Sequence, residues 1–255
     1  MPPRLPSLVA SLSVLTLAPR AIADQAAPAI SATATVERLA EDAAVSSVVR
    51  GAGATGDGFA VVTTSFDTVT DRAQLDLSGQ VHLWDRLSLV LRVDDAASSD
   101  ARPGVGAAIR LLDEGRHGVD SNGYLVYKTE GFSEPEGELE ALASFGRSFG
   151  PVRAVANIAY GQDPEGNERD GEVALGVQMR PAPQLVAGVL GRYRDALGSR
   201  GDRGVLRDVF GGASATLALG RFAVSGLAGV SGIETTTSGS LQAGATAALS
   251  VGAAF

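Results

Sequence analysis

The chain has 255 residues, with 21 Lys and Arg against 29 Asp and Glu for a formal net charge of −8, and it has no cysteine. This acidic balance argues against nucleic acid or an anionic membrane surface as a partner, because both reward clusters of Lys and Arg. The lack of cysteine excludes disulfide stapling and thiolate chemistry.

Residues 1–23 have the pattern of a secretory signal peptide. Arg4 precedes an apolar stretch over residues 8–18, and residues 21–23 form a small-x-small cleavage site. The apolar stretch is too short to cross a bilayer as a helix. We therefore expect an exported chain whose mature form begins near Asp24.

Residues 24–57 are rich in alanine and carry one helix-like patch, in which Val36, Leu39 and Ala43 share a face. We interpret this region as a periplasmic tail or a short helix. The alternative is a plug inside a barrel lumen, which the weak amphipathicity of the patch disfavours.

From Gly58 onward, apolar and polar residues alternate with a period of two, which is typical of strands that have one apolar face. The alternation is clearest over residues 73–83 and recurs to the end of the sequence. It predicts an all-β fold, a single antiparallel up-and-down barrel of about twelve strands over residues 58–255. The predicted strands cover residues 58–67, 73–83, 86–94, 104–112, 119–129, 138–149, 152–162, 171–180, 185–195, 205–219, 221–233 and 241–255.

The connections between these strands alternate in length, which favours a barrel that crosses a membrane with its apolar face toward lipid. Brief connections fall at residues 84–85, 150–151, 180–184 and 220–221. Long polar ones fall at residues 94–103, 130–137, 162–171 and 195–204. Short periplasmic turns and longer outer loops produce this rhythm.

The aromatic residues are predicted to form two belts at the membrane interfaces. One belt lies at the short-turn end and consists of Trp84, Phe149, Phe222 and Phe255. The other lies toward the long loops and consists of Tyr127, Tyr160 and Tyr193.

The last fifteen residues, LQAGATAALSVGAAF, place alternate apolar residues on one face and finish on Phe255. With the signal segment, the alternation and the belts, this strand resembles the closing strand of Gram-negative bacterial outer-membrane β-barrel proteins. The resemblance is to the broad class, with no specific subfamily. It implies residence in the outer membrane, contact with membrane lipid and lipopolysaccharide, and recognition of Leu249, Val251, Ala253 and Phe255 by the barrel assembly machinery.

The polar face of the strands is expected to line the lumen. Its members carry both signs of charge, so they are expected to pair across neighbouring strands. The set comprises Asp76, His82, Arg92, Arg110, Lys128, Glu138, Glu140, Arg153, Glu172, Arg180, Arg192 and Arg194. The favoured hypothesis is a porin-like channel or a structural barrel, with these charges setting selectivity for small solutes or cations if the lumen is open.

The acidic loops support a second hypothesis, a surface-interaction barrel that contacts divalent cations or lipopolysaccharide. The acids are Glu130, Glu134, Glu136, Glu138, Glu140, Asp163, Glu165, Glu168, Asp170 and Glu172. An EF-hand interpretation fails, because Glu168 stands where that loop requires glycine. Solvated acidic loops are the default interpretation, with no metal site and no cofactor expected.

Catalysis is the least supported hypothesis. An outer-membrane hydrolase with a Ser-His-acid arrangement needs a suitably placed histidine. Only His82 and His117 exist, and both fall near the short turns, away from the loops where substrate would arrive. We therefore expect no enzymatic activity and no catalytic residues.

Overall fold

The computed structural model describes residues 58–84, 86–99, 101–129, 137–164, 169–197 and 205–255, which form a closed antiparallel barrel of twelve strands. Each strand pairs with the next one in sequence, and β12 pairs with β1 to close the barrel. The strands are β1 (Gly58–Asp67), β2 (Arg72–Trp84), β3 (Leu87–Asp94), β4 (Arg102–Leu112), β5 (Asp120–Thr129), β6 (Gly137–Phe149), β7 (Val152–Gln162), β8 (Arg169–Ala182), β9 (Leu185–Ala196), β10 (Val205–Leu219), β11 (Phe222–Thr235) and β12 (Leu241–Ala254). The predicted fold and strand number are confirmed, whereas the predictions for residues 1–23 and 24–57 lie outside the described residues.

The strand register separates an inward face from an outward face. Directly opposed residues of antiparallel strands point to the same side of the sheet. The buried pair Thr63 and Ser250, whose hydroxyls are 2.9 Å apart, therefore fixes one face around the whole barrel. The opposite face carries large apolar side chains that are freely exposed, such as Leu175 at 59%, Val189 at 61% and Val230 at 64%. An exposed apolar band of this kind suits contact with lipid.

Charged side chains are almost excluded from the outward face. Within the described strands, they occupy outward positions only near the strand ends. These residues are Arg147, Arg169, Asp195, Arg207 and Glu234. The middle of the outer surface is therefore free of charge in the part of the chain described, as a hydrocarbon environment requires.

The two ends of the barrel differ in their connections. The short-turn end holds the two-residue turns Gly150–Pro151, Pro183–Gln184 and Gly220–Arg221. Gly150 and Gly220 have φ of 64° and 66°, the geometry of two-residue hairpins with glycine in the first position. Because β8 continues to Ala182, the connection expected over residues 180–184 is shorter than predicted. The opposite end, called the long-loop end below, also contains a compact connection of four residues between β1 and β2.

A short helix that the sequence pattern did not reveal lies at the short-turn end. This helix, α1 (Glu114–His117), connects β4 to β5. The Asp113 side chain accepts a hydrogen bond from the Gly115 N–H at its start, and Gly118 ends it with a φ of 73°. Four residues are too few to produce a recognisable helical period.

The inner wall is not uniformly polar, which corrects the expectation that polar residues line it throughout. One apolar cluster joins Val90, Ala108 and Val126 on β3, β4 and β5. A second joins Val155, Ala174, Leu190, Phe210 and Leu227 on β7 to β11. The Phe210 ring lies over Gly212 and Gly229, where an added Cβ would be 2.6 and 2.8 Å from the ring's Cζ. The ring therefore lies against the wall rather than across the lumen.

Candidate functional site

Eighteen charged side chains occupy inward register positions of the described strands, nine acidic and nine basic. The acids are Asp67, Asp76, Asp94, Asp120, Glu138, Glu140, Asp170, Glu172 and Asp208. The bases are Arg72, Arg92, Arg102, Arg110, Lys128, Arg153, Arg180, Arg192 and Arg194. Such a wall is neutral as a whole, so its electrostatics depend on how the charges are placed.

All twelve residues that the sequence suggested for the lumen occupy inward positions, with His82 joining the eleven charged ones among them. Their part in passing solutes stays a prediction. Five inward acids were missed, namely Asp67, Asp94, Asp120, Asp170 and Asp208. The sequence could have revealed two of them, because residues two apart on a strand share a face. Asp94 follows Arg92 at this interval, and Asp170 precedes Glu172 at the same interval.

Glu140 is the centre of one charge network near the long-loop end. Its Oε1 accepts from Arg92 Nη1 at 3.2 Å, and its Oε2 lies 3.1 Å from Lys128 Nζ. Lys128 Nζ is also 3.1 Å from Glu138 Oε2. Arg92 belongs to β3 and Glu140 to β6, so their contact passes over the inner surface of β4 and β5. Glu140 therefore neutralises two cations that different strands supply.

A second group of charges continues this arrangement across β8, β9 and β10. Arg194 pairs with Asp170, and Arg192 pairs with Asp208. Gly161 on β7 separates the two groups, and an added Cβ there would lie 1.9 Å from Glu138 Oε1 and 2.6 Å from Asp170 Oδ1. Only a residue without a side chain lets both carboxylates occupy this place.

The short-turn end has its own network. Arg153 Nη2 donates to Asp120 Oδ2 at 3.1 Å, and Arg153 Nη1 donates to Glu114 Oε2 at 3.0 Å. Arg110 lies 2.6 Å from Asp113 and 3.4 Å from Asp120. The three acids of this network, Asp113, Glu114 and Asp120, exceed its two arginines by one negative charge.

Neither histidine has the surroundings of a catalytic base. His82 Nδ1 is 3.4 Å from Ser88 Oγ, a distance at the limit of a hydrogen bond, and Ser88 is buried. Within the described residues, no carboxylate is hydrogen-bonded to His82. His117 is exposed on α1, where its Nδ1 lies 3.2 Å from the Asp113 carbonyl oxygen.

The predicted interface aromatics occupy the two ends of the outer surface, where their role stays a prediction. At the short-turn end, Trp84 is 67% exposed and Phe255 is 62% exposed. At the long-loop end, the hydroxyls of Tyr160 and Tyr193 donate to Gln162 and Asp195 at 2.8 and 2.9 Å. Phe149 and Phe222 are also exposed, and Tyr127 is half-buried.

Half of the proposed acidic loop residues fall outside the described part of the chain. These are Glu130, Glu134, Glu136, Glu165 and Glu168. Where the structure describes the chain, no three His, Asp or Glu side chains are grouped so that they could hold a metal ion. No helix among the described residues is both long enough and apolar enough to span a membrane.

A closed barrel with an apolar exterior and a charged, ion-paired interior is the architecture of bacterial outer-membrane β-barrel proteins, and it places this chain in the outer membrane. Solved structures with this architecture resemble it. The NanC porin aligns with a TM-score of 0.56 and 5% identity over 77% of this chain and 100% of that one. The KdgM porin in complex with disordered oligogalacturonate gives 0.53 and 6% over 77% and 99%.

An outer membrane channel from Pseudomonas putida F1 gives a TM-score of 0.53 and 11% identity over 79% of this chain and 96% of that one. No protein-family model matches the sequence, and no curated protein matches it either. At these identities, the resemblance establishes the fold alone.

Proposed function

We propose that the protein is a passive channel for small hydrophilic solutes across the outer membrane, rather than an enzyme. The observation that carries the proposal is the partial exposure of the inward charges. Arg72 keeps 56% of its side-chain surface exposed, Arg194 keeps 49% and Glu138 keeps 26%. Since burying a charge away from water is costly, the exposed part of these side chains indicates space for water beside them.

The course of the ion pairs supports an open centre. The pairs described above join strands at most three positions apart around the barrel, so they follow the wall instead of bridging the diameter. The largest inward apolar ring, Phe210, also lies against the wall. Among the described residues, the named ion pairs and the Phe210 ring therefore follow the wall and do not bridge the barrel diameter.

The dimensions are those of a narrow channel. With strands about 4.8 Å apart and tilted by about 40°, twelve strands give a backbone radius of about 12 Å. A layer of inward side chains about 5 Å thick leaves a lumen radius of about 7 Å. The long Arg and Lys side chains reduce this further, so small solutes fit and folded proteins do not.

Neighbouring structures supply further support, since the structures that resemble this chain are described as porins and as an outer membrane channel. An identity of 5% to 11% does not extend the solutes of those proteins to this barrel. Within the described strands, the wall carries equal numbers of acids and bases. We therefore propose weak ion selectivity and a size limit as its main form of discrimination.

Planar-bilayer recording tests the proposal. Purified protein, verified as a folded barrel by its heat-dependent gel mobility, should produce discrete conductance steps in potassium chloride. The same sample, heated and then added at equal concentration, is the control and should produce none. A folded preparation that never conducts at any voltage would refute the channel.

A further inference from the structure

The connection between β4 and β5 differs from its neighbours at the short-turn end. Where those neighbours are two-residue turns, this connection folds into α1 and then returns to Asp120. Gly118 closes the helix by donating its N–H to the Glu114 carbonyl oxygen at 2.8 Å. The extra residues therefore build an ordered element at the mouth of the barrel.

Glu114 fastens this element to strands that lie farther around the barrel. Its Oε2 accepts from Ser148 Oγ at 3.1 Å and from Arg153 Nη1 at 3.0 Å, and its Oε1 accepts from the Ser148 N–H. Ser148 belongs to β6 and Arg153 to β7, and both occupy inward positions. The Glu114 side chain therefore extends along the inner rim of the opening, past β5 to β6 and β7.

Arg153, which binds Glu114 from β7, is itself held in place by further contacts. Arg153 crosses β6 over Gly146, where an added Cβ would lie 2.5 Å from Arg153 Nη2. Its Nη2 then reaches Asp120 Oδ2 at 3.1 Å. Asp120 Oδ1 also accepts the Glu114 N–H at 2.7 Å, so the main chain and the side chain of Glu114 are both tied to this network.

We propose that α1 is a cap fixed over part of the short-turn opening, and that Glu114 sets the size limit of the channel by positioning it. This inference rests on the proposed channel function. A four-residue helix is about 6 Å long and about 10 Å across with side chains, so it covers about 60 Å². A lumen of about 7 Å radius has a section of about 150 Å². Releasing the cap should therefore raise the conductance by up to about 1.7-fold.

The test compares Glu114→Ala with wild type and with Arg116→Gln in planar bilayers at 1 M potassium chloride. High salt screens the change in mouth charge, so a difference reports the obstruction. Arg116 lies exposed on the same helix, and its replacement alters the local charge without touching the Glu114 contacts. Glu114→Ala should conduct up to about 1.7 times as much as wild type and admit larger polyethylene glycols, while Arg116→Gln should match wild type.

A cross-linking experiment separates loss of the Glu114 contact from a folding defect. The sequence has no cysteine, so the reagent reacts only with the thiols that are introduced. The double variant Glu114→Cys and Ser148→Cys removes the contact and should behave as Glu114→Ala does. A short bis-thiosulfonate reagent that bridges the two thiols should restore the wild-type conductance and polymer limit, and a reductant should reverse this.

The outcomes separate the two proposals. A conducting wild type whose conductance and polymer limit are unchanged by Glu114→Ala and by bridging would overturn the cap while leaving the channel intact. A silent wild type beside a conducting Glu114→Ala would refute the channel proposed for the native protein and would contradict a cap that covers only part of the opening. If no folded variant conducts, both proposals are wrong.

Discussion

Replacing Leu175 with arginine tests whether the apolar face contacts lipid. Leu175 lies on the outward face near the middle of β8, with 59% of its surface exposed and no charged outward residue near it. An arginine at the bilayer midplane of a barrel costs about 2–4 kcal/mol, against about 0–1 kcal/mol near an interface. Leu175→Arg should therefore lower the folding equilibrium constant by roughly 30- to 700-fold.

The measurement is urea-dependent folding into lipid vesicles, followed by the gel mobility of unheated samples. Leu219→Arg is the matched control, because Leu219 is 51% exposed on the same outer surface but stands at the end of β10, next to a short turn. Its cost should be about 0–1 kcal/mol. Equal costs at the two positions, or a barrel that stays monodisperse in water without detergent, would refute the outward assignment of the apolar face.

Three further variants test the wall and the closure of the barrel. Gly106→Ala should destabilise the barrel by about 1–3 kcal/mol in the same titration, because its Cβ would lie 2.1 Å from a main-chain oxygen of β5. Gly211→Ala is the control and should be neutral, since nothing lies within 4 Å of an added Cβ there. Similar free energies of unfolding for the two variants would contradict this prediction. Glu140→Gln leaves two cations without their shared carboxylate. At roughly 8 Å in water one charge is worth about 0.5 kcal/mol, with opposite sign for potassium and chloride, so the potassium-to-chloride permeability ratio from reversal potentials should fall about fivefold. An unchanged ratio would count against a conducting lumen. Phe255→Ala removes a ring that packs on β1 and should lower the free energy of unfolding by about 1 kcal/mol. A urea midpoint equal to that of wild type would contradict this prediction.

The strands were predictable because their period of two is a local property. Three predicted strands, 58–67, 152–162 and 205–219, coincide with β1, β7 and β10. Outward residues were predictable for the same reason. β3 also alternates, with Ser88, Arg92 and Asp94 on one side, so its inward face was predictable, and the register with β2 and β4 shows that the apolar Val90 shares that face.

Local alternation fails where the register changes. Simple alternation would give Trp84 the same side as His82, yet an irregularity between these residues pairs Trp84 with Leu87 and exposes its ring on the outer surface. The charge networks were beyond local patterns for another reason. The contact between Arg92 and Glu140 joins residues 48 positions apart, and the strand register alone brings them together.

The seam between β1 and β12 has a consequence for how the protein reaches its native state. Thr63 and Ser250 are separated by 187 residues, and bringing such distant segments together costs about 5 kcal/mol in chain entropy. Until that seam forms, the row of unpaired peptide groups on each edge strand invites association with other chains. Because β12 is synthesised after the other eleven strands, we expect both edges to stay unpaired until the seam forms and maturation to be all-or-none rather than progressive.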